Sequence, residues 1–140
     1  MKRIQWFGKG PYANYRDRNE GTMVGLYEKS VDGLFEPYIV PQENGNRSET
    51  RWLEVCDGRR GLLITGDQLF EFSAHRYDVK DLEEAEHLHQ LDKKPYVNLY
   101  LDQKQAGLGS AGCGPDTLFK YRVKSEPHTW SFTIKPVIPF

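Results

Sequence analysis

Short runs in which apolar and polar residues alternate dominate the chain. Phe119, Tyr121 and Val123 alternate with Lys120, Arg122 and Lys124. Trp130, Phe132 and Ile134 alternate with Ser131, Thr133 and Lys135, and Val97, Leu99 and Leu101 with Tyr96, Asn98 and Tyr100. A period of two sets one face of a strand against a core and the other towards polar surroundings. Weaker runs of the same kind cover 4–7, 23–28, 37–40, 51–56, 61–65 and 69–76. Asp32-Gly33, Asn44-Gly45, Asp57-Gly58 and Gly66-Asp67 supply turn signals between them. One stretch reads as a short helix near 79–87, with Asp81 as its cap and Glu84 three residues later completing a capping box before Ala85. The spacing of strands and turns predicts an all-β, antiparallel β-sandwich. With no internal repeat, low-complexity tract or linker, residues 1–140 read as a single β-sandwich unit.

Length and charge narrow the picture. At 140 residues the chain has the size of one domain, and a globular chain of this size buries roughly two-thirds of its unfolded surface. Its 19 basic and 20 acidic residues leave a formal charge of -1, so no field is expected to draw in nucleic acid or an anionic membrane. No apolar run approaches the roughly 20 residues of a bilayer span, and the start Met1-Lys2-Arg3-Ile4-Gln5-Trp6 has no apolar signal core. Two cysteines, Cys56 and Cys113, are too few for a disulfide framework or a cysteine zinc site.

Candidate chemistry is sparse. Gly107-Leu108-Gly109-Ser110-Ala111-Gly112 matches GxGxxG, but a dinucleotide site needs a helix directly after it. Cys113-Gly114-Pro115-Asp116 cannot open one. A loop whose glycines supply backbone freedom is the better reading. His87 and His89, with His75 nearby in sequence, lack a third metal ligand at fixed spacing. Nothing places a base beside Cys113. Glu54 and Glu71 fall on predicted strands, and nothing ties them into the paired geometry of glycoside hydrolysis; solvated strand-face carboxylates are expected.

Five ordered segments carry a resemblance. Gln5-Trp6-Phe7-Gly8-Lys9-Gly10-Pro11 with Asn14-Tyr15 and Asp17-Arg18 is similar to the Q-W-F-G-x-G-P-x-E-N-Y-x-D-R of the large bacterial β-galactosidases, with Ala13 where the family usually has Glu. Pro37-Tyr38-Ile39-Val40-Pro41-Gln42-Glu43-Asn44-Gly45-Asn46-Arg47, then Arg51-Trp52, resembles P-Y-x-x-P-x-E-N-G-x-R-x-x-x-R-W. Phe72-Ser73-Ala74-His75-Arg76-Tyr77 resembles F-S-x-x-x-Y. Asp81-Leu82-Glu83 and the region from His87 to His89 fit the family's short helix and the strand after it. Leu101-Asp102 and Gly107-Leu108-Gly109 fit D-x-x-x-x-G-x-G. The match runs from end to end.

The resemblance implies the last domain of glycoside hydrolase family 2 β-galactosidases, a galactose-mutarotase-like supersandwich. The usual domain is about twice as long, so the chain looks like its C-terminal half, either as an excised piece or as part of a split enzyme's small subunit. The catalytic glutamates of that family lie in a separate barrel, so the chain is expected to carry no catalytic residue and to be inactive alone, while the whole enzyme hydrolyses terminal β-D-galactosides such as lactose. The family's loop after Asp102 reaches the barrel's active site, which implies a substrate-pocket loop here containing Gln103, Gly107, Gly109, Ser110 and Cys113. Well-known members have a sugar-stacking Trp at or near Cys113, and its loss removes an aromatic contact worth about 0.5–1.5 kcal/mol. Other relatives have Cys in a G-S-x-x-C-G-P context, as in Gly109–Pro115 here.

No cofactor or metal is expected in this chain; magnesium and sodium, where the parent enzyme uses them, belong to other domains. The implied partners are the remaining domains or large subunit, and the β-galactoside substrate. Self-association through apolar surface left by a missing half is also expected. Cytoplasmic placement is expected, with a secreted or periplasmic parent as the alternative. Two competing readings are a stand-alone carbohydrate-binding module, which needs Trp6, Trp52, Tyr96 and Tyr100 exposed as a platform, and a mutarotase-like epimerase, for which Glu71 and His75 share a strand face but lie roughly 13 Å apart, too far for a tight acid–base pair, so that other partners are needed.

Overall fold

The computed structural model of the protein describes residues 3–107 and 114–138. Among the described residues six antiparallel strands make up the main framework: β1 (Arg3–Gly10), β2 (Met23–Ser30), β3 (Arg47–Cys56), β4 (Gly61–His75), β5 (Asn98–Asp102) and β6 (Phe132–Val137). Their order in the sheet is β2-β1-β3-β4-β5, with β6 also on β4. The all-β antiparallel fold expected from the alternation is therefore the fold of the chain. The two α-helical turns, α1 (Val31–Leu34) and α2 (Val79–Glu84), are short.

The sheet is organised by β4, whose 15 residues exceed any other strand. Its first half pairs with β6, from Gly61↔Val137 to Gly66↔Phe132. Its second half pairs with β5, from Glu71↔Asp102 to His75↔Asn98. Along the other edge runs β3. Two strands expected over 61–65 and 69–76 are thus one, and Gly66-Asp67 is not a turn between them, because β6 continues the ladder to Gly66. The Asp57-Gly58 signal does make the β3–β4 hairpin: Gly58 takes φ 92°, and Asp57 Oδ1 accepts the Arg59 and Arg60 N–H groups at 2.8 Å each. Those donors hold the Asp57 carboxyl below its ordinary value.

Three other expectations are corrected. The 37–40 run forms no strand, and Phe119–Tyr121 is a single 3₁₀ turn with Phe119 and Val123 exposed. That segment joins no strand ladder, and the side of β4 away from β3 is taken by β5 and β6. The helix near 79–87 is present as α2, but its cap is Asp78. Asp81 sits three residues in, and its Oδ2 accepts the Asp78 N–H at 3.2 Å.

One face of the sheet carries the core: Ile4, Trp6, Leu53, Val55, Ile64, Phe70, Phe72 and Ala74, closed by Val31 and Leu34 of α1. Trp6 is wholly buried, its ring edge-on to Phe72 at 5.8 Å. Its indole N–H donates to the Lys9 carbonyl at 3.0 Å, which satisfies the group that makes a buried Trp costly. Along β4 the next residues, Glu71, Ser73 and His75, are buried as well. They point to the opposite face, which is roofed by polar loops.

Candidate functional site

Glu71 on that second face is one end of a knot of buried polar side chains drawn from four segments, whose other end is Arg47, beside Phe72 and over Trp6 on the core face. Asn14 and Tyr15 come from the loop after β1, and Glu43, Asn44 and Asn46 from the loop before β3. Arg47 opens β3, and Glu71 lies on β4. Buried polar groups need partners, and the loops supply most of them to one another, with Asn46 Oδ1 and Arg47 Nε left over among the described residues. Asn14 N–H donates to the Asn46 carbonyl at 2.8 Å, and Asn46 Nδ2 returns a bond to the Asn14 carbonyl at 3.0 Å. Asn14 Oδ1 accepts the Ser48 N–H at 2.9 Å and the Ser48 hydroxyl at 2.5 Å. Tyr15 donates its hydroxyl to Glu43 at 2.5 Å. Asn44 clasps the Glu36 main chain from both sides, accepting its N–H at 2.8 Å and donating to its carbonyl at 2.6 Å. Gly45 makes the turn at φ 77°, a backbone region open to glycine.

Arg47 is the charge of the knot. Completely buried, it donates through Nη1 to the Leu34 and Gly45 carbonyls at 3.1 and 2.6 Å, and through Nη2 to the Pro11 carbonyl at 3.3 Å. Glu36 lies 3.7 Å away, and the guanidinium sits over the Trp6 ring at 5.7 Å. Burial lowers its pKa to about 10, against the pull of Glu36, so it stays charged at neutral pH.

Glu71 joins this knot to the glycine-rich loop. Its Oε2 accepts Asn46 Nδ2 at 2.6 Å, and the main-chain N–H of Gln105 lies close enough to favour its charged form. Burial outweighs both and raises its pKa to about 7. Glu71 is therefore not the solvated strand-face carboxylate expected from sequence. Burial likewise raises Glu43 and Asp102 above the ordinary carboxylate range and lowers His75. Glu54, by contrast, is a partly exposed β3 residue opposite Leu63.

The residues expected to form a pocket loop are only partly gathered. Gln103 follows β5 and lines an open cleft of about 390 Å³ together with Arg16, Glu71, Lys104, Lys120 and Tyr121. Gly107 packs so closely on the Asp17 carboxylate that any side chain there would collide with it. That contact accounts for the glycine and ties the loop to the segment after β1. Gly109, Ser110 and Cys113 lie outside the described residues. Of the supposed aromatic platform, Trp6 is in the core, and its neighbour register, Trp6↔Leu53 against Phe7↔Trp52, puts Trp52 on the opposite face. Tyr96 is half exposed and donates to Asp78 at 3.0 Å. His87 and His89 stack on each other at 5.5 Å, away from buried His75. Among the described residues no group of three or more His, Cys, Asp or Glu is placed to hold a metal ion, and no described helix is long and apolar enough to cross a membrane.

Fold and site together define an antiparallel β-sheet domain in which a knot of buried polar side chains joins the loop after β1 and the loop before β3 to Glu71 of β4. The chain belongs to the β-galactosidase small chain family, whose pattern it matches over residues 1–134. It is 32% identical over 135 residues to a β-galactosidase of Staphylococcus xylosus, covering 96% of this chain and 14% of that protein. A Priestia megaterium β-galactosidase is 33% identical over 144 residues, covering 96% of this chain and 13% of that protein. One from an Arthrobacter species is 35% identical over 136 residues, covering 93% and 13%. The chain thus spans about one-seventh of the length of these relatives. The first two sequence segments that carried the resemblance supply most of the knot: Asn14, Tyr15, Glu43, Asn44, Asn46 and Arg47.

Proposed function

We propose that residues 1–140 form one β-sandwich fragment, the C-terminal part of the last domain of a β-galactosidase. In this reading the fragment contributes no catalytic acid. It holds the loop from Gln103 to Asp116 against the active site built by other domains, for an enzyme that hydrolyses terminal β-D-galactosides. The observation that carries the reading is the anchoring of the loop's base. Gly107 rests on Asp17, and Gln105 faces Glu71, so the loop leaves a fixed point on the sheet. A loop that positions substrate needs such support from a rigid scaffold. The buried carboxylates fit the same reading: Glu71 and Glu43 are engaged by Asn46 and Tyr15, as structural groups are.

The exposed apolar residues Val24 and Leu26 on one face of the outer strand β2 support a surface covered by neighbouring domains, or by a second copy when those are missing. The test of the non-catalytic role is a chromogenic β-galactoside offered to the purified chain. We expect release no faster than in buffer. Release that scales with chain concentration would overturn it.

A further inference from the structure

Three loops reach the sheet at Glu71. Its Oε2 accepts Asn46 Nδ2, from the loop before β3, at 2.6 Å. The Gln105 N–H comes from the segment after β5 and the Arg16 charge from the loop after β1, and both favour the ionised carboxyl. Against them stand burial and Asp102, its partner across the β4–β5 ladder. Glu43 stands beyond Asp102. Glu49, Lys104, Lys120 and Tyr121 line the same open cleft as Glu71, through which protons from solvent reach the carboxyl.

The side-chain amide of Asn46 is only half used. Nδ2 donates to the Asn14 carbonyl and to Glu71. Both neighbours accept, so the nitrogen has to face them. Oδ1 is left without a partner among the described residues, and Asn46 is 1% exposed, so bulk water does not serve it. A buried acceptor in that state is costly. A carboxylate cannot relieve it, having no hydrogen to give, but a neutral carboxyl can. An acid and an amide that already share one bond close a second through the acid's hydroxyl. The hydrogen stays on Glu71, and Asn46 Oδ1 accepts it. The two protonation states of Glu71 thus favour different partners. The neutral acid turns to Asn46, while the carboxylate holds the Gln105 N–H by a charge-assisted bond and attracts Arg16.

We propose that Glu71 is a positioning residue that works as a proton-operated latch on the base of the glycine-rich loop. Ionised, it fastens Gln105 to β4; protonated, it pairs with Asn46 and gives the Gln105 N–H up to water. Gln105 is only half-buried, so its N–H finds water readily. The contact of Gly107 with Asp17 does not involve Glu71, which confines the release to the stretch before Gly107. Burial sets the changeover at about pH 7. The latch is a property of the chain alone. Its consequence for catalysis, a KM for galactoside that changes through the same pH range, rests on the pocket role proposed above.

The test is NMR of the chain labelled with ¹³C and ¹⁵N, from about pH 5 to about pH 9, which brackets the changeover. The side-chain carboxyl carbon of Glu71 is expected to titrate at about 7. Protection of the Gln105 amide from hydrogen exchange should rise about tenfold with the same midpoint, as the gain of one hydrogen bond does. Glu71→Gln is a fixed copy of the neutral acid: its oxygen accepts from Asn46 Nδ2 and its amide donates to Asn46 Oδ1. Gln105 protection in that variant should be low and flat. Asp102→Asn removes the neighbouring charge that raises Glu71, so it should keep the step and move it to lower pH. If Glu71→Gln loses its dispersed spectrum, the coincidence of the two midpoints and the Asp102→Asn displacement decide. A Glu71 carboxyl that titrates at its ordinary 4.5 overturns the proposal. So does Gln105 protection without a step at the Glu71 midpoint, or a step that survives in Glu71→Gln. With the latch seen in the chain, a KM flat through pH 7 in a β-galactosidase carrying it would count against the pocket role alone.

Discussion

Arg47→Ala is expected to destabilise the chain by about 3–5 kcal/mol, the range seen when one member of a buried, hydrogen-bonded charge system is removed. Three carbonyls, those of Leu34, Gly45 and Pro11, lose their donor at once, and each is left in a place water does not reach easily. The Trp6 ring loses the group that covers it. Against a total stability of about 5–15 kcal/mol for a domain, such a loss leaves little or nothing folded at 37 °C. Arg47→Lys should rescue only part, because a single ammonium cannot span carbonyls served by two separate nitrogens of a planar fork. Urea denaturation of the three proteins, followed by tryptophan fluorescence, reads the effect. A midpoint for Arg47→Ala close to that of the parent chain would show that the knot does not hold the fold.

The second large effect is a dependence on pH. Glu71 has an ordinary value of 4.5, and the fold raises it to about 7. The native state therefore binds this proton more tightly than the unfolded chain does. Its contribution is most favourable below pH 4.5 and is lost as pH rises to about 7. The loss amounts to something of order 3 kcal/mol. Glu43 and Asp102, also raised, act with the same sign, while His75, lowered by burial, acts with the opposite one. The difference between the parent chain and Glu71→Gln isolates Glu71. Gln keeps an oxygen for the Asn46 amide and cannot ionise. Its melting temperature should exceed the parent's at about pH 8, and the gap should close as pH falls to 4.5. A gap that stays constant across that window would rule out the assignment of the titration to Glu71.

Why the knot escaped a reading of the sequence is visible in β4. Phe70, Phe72 and Ala74 follow the period of two and face the core. Glu71, Ser73 and His75 have the polar identity of a solvated face, and nothing in the strand itself says that loops arrive to cover them. Those loops come from Asn14-Tyr15 and Glu43–Asn46, far apart in sequence, and their asparagines work by bonding main chain rather than by any periodic pattern. The available signal was the density of Asn, Glu and Arg in the two segments shared with the β-galactosidases, which sequence reasoning took as a family mark and not as one packed cluster. The strands, by contrast, were largely legible, and most clearly β1 and β3, which are paired on both edges and bury every second residue along much of their length. The exceptions follow from topology. The run at 119–123 joined no ladder, and the two halves of β4 fused because β5 and β6 pair along one side of a continuous strand. Of the loop residues, Gly107 had a local reason that sequence could not supply, the Asp17 carboxylate beneath it.

The central claim, that this chain completes a β-galactosidase whose chemistry lies elsewhere, is tested most directly by exchange. The Staphylococcus xylosus β-galactosidase, which the chain matches over 14% of its length, would be prepared without its matching stretch and again with this chain in its place. The shortened enzyme is expected to be inactive on a chromogenic β-galactoside, and the exchanged one to be active. A shortened enzyme as active as the whole, or an exchanged enzyme that folds cooperatively yet hydrolyses nothing, would contradict the claim.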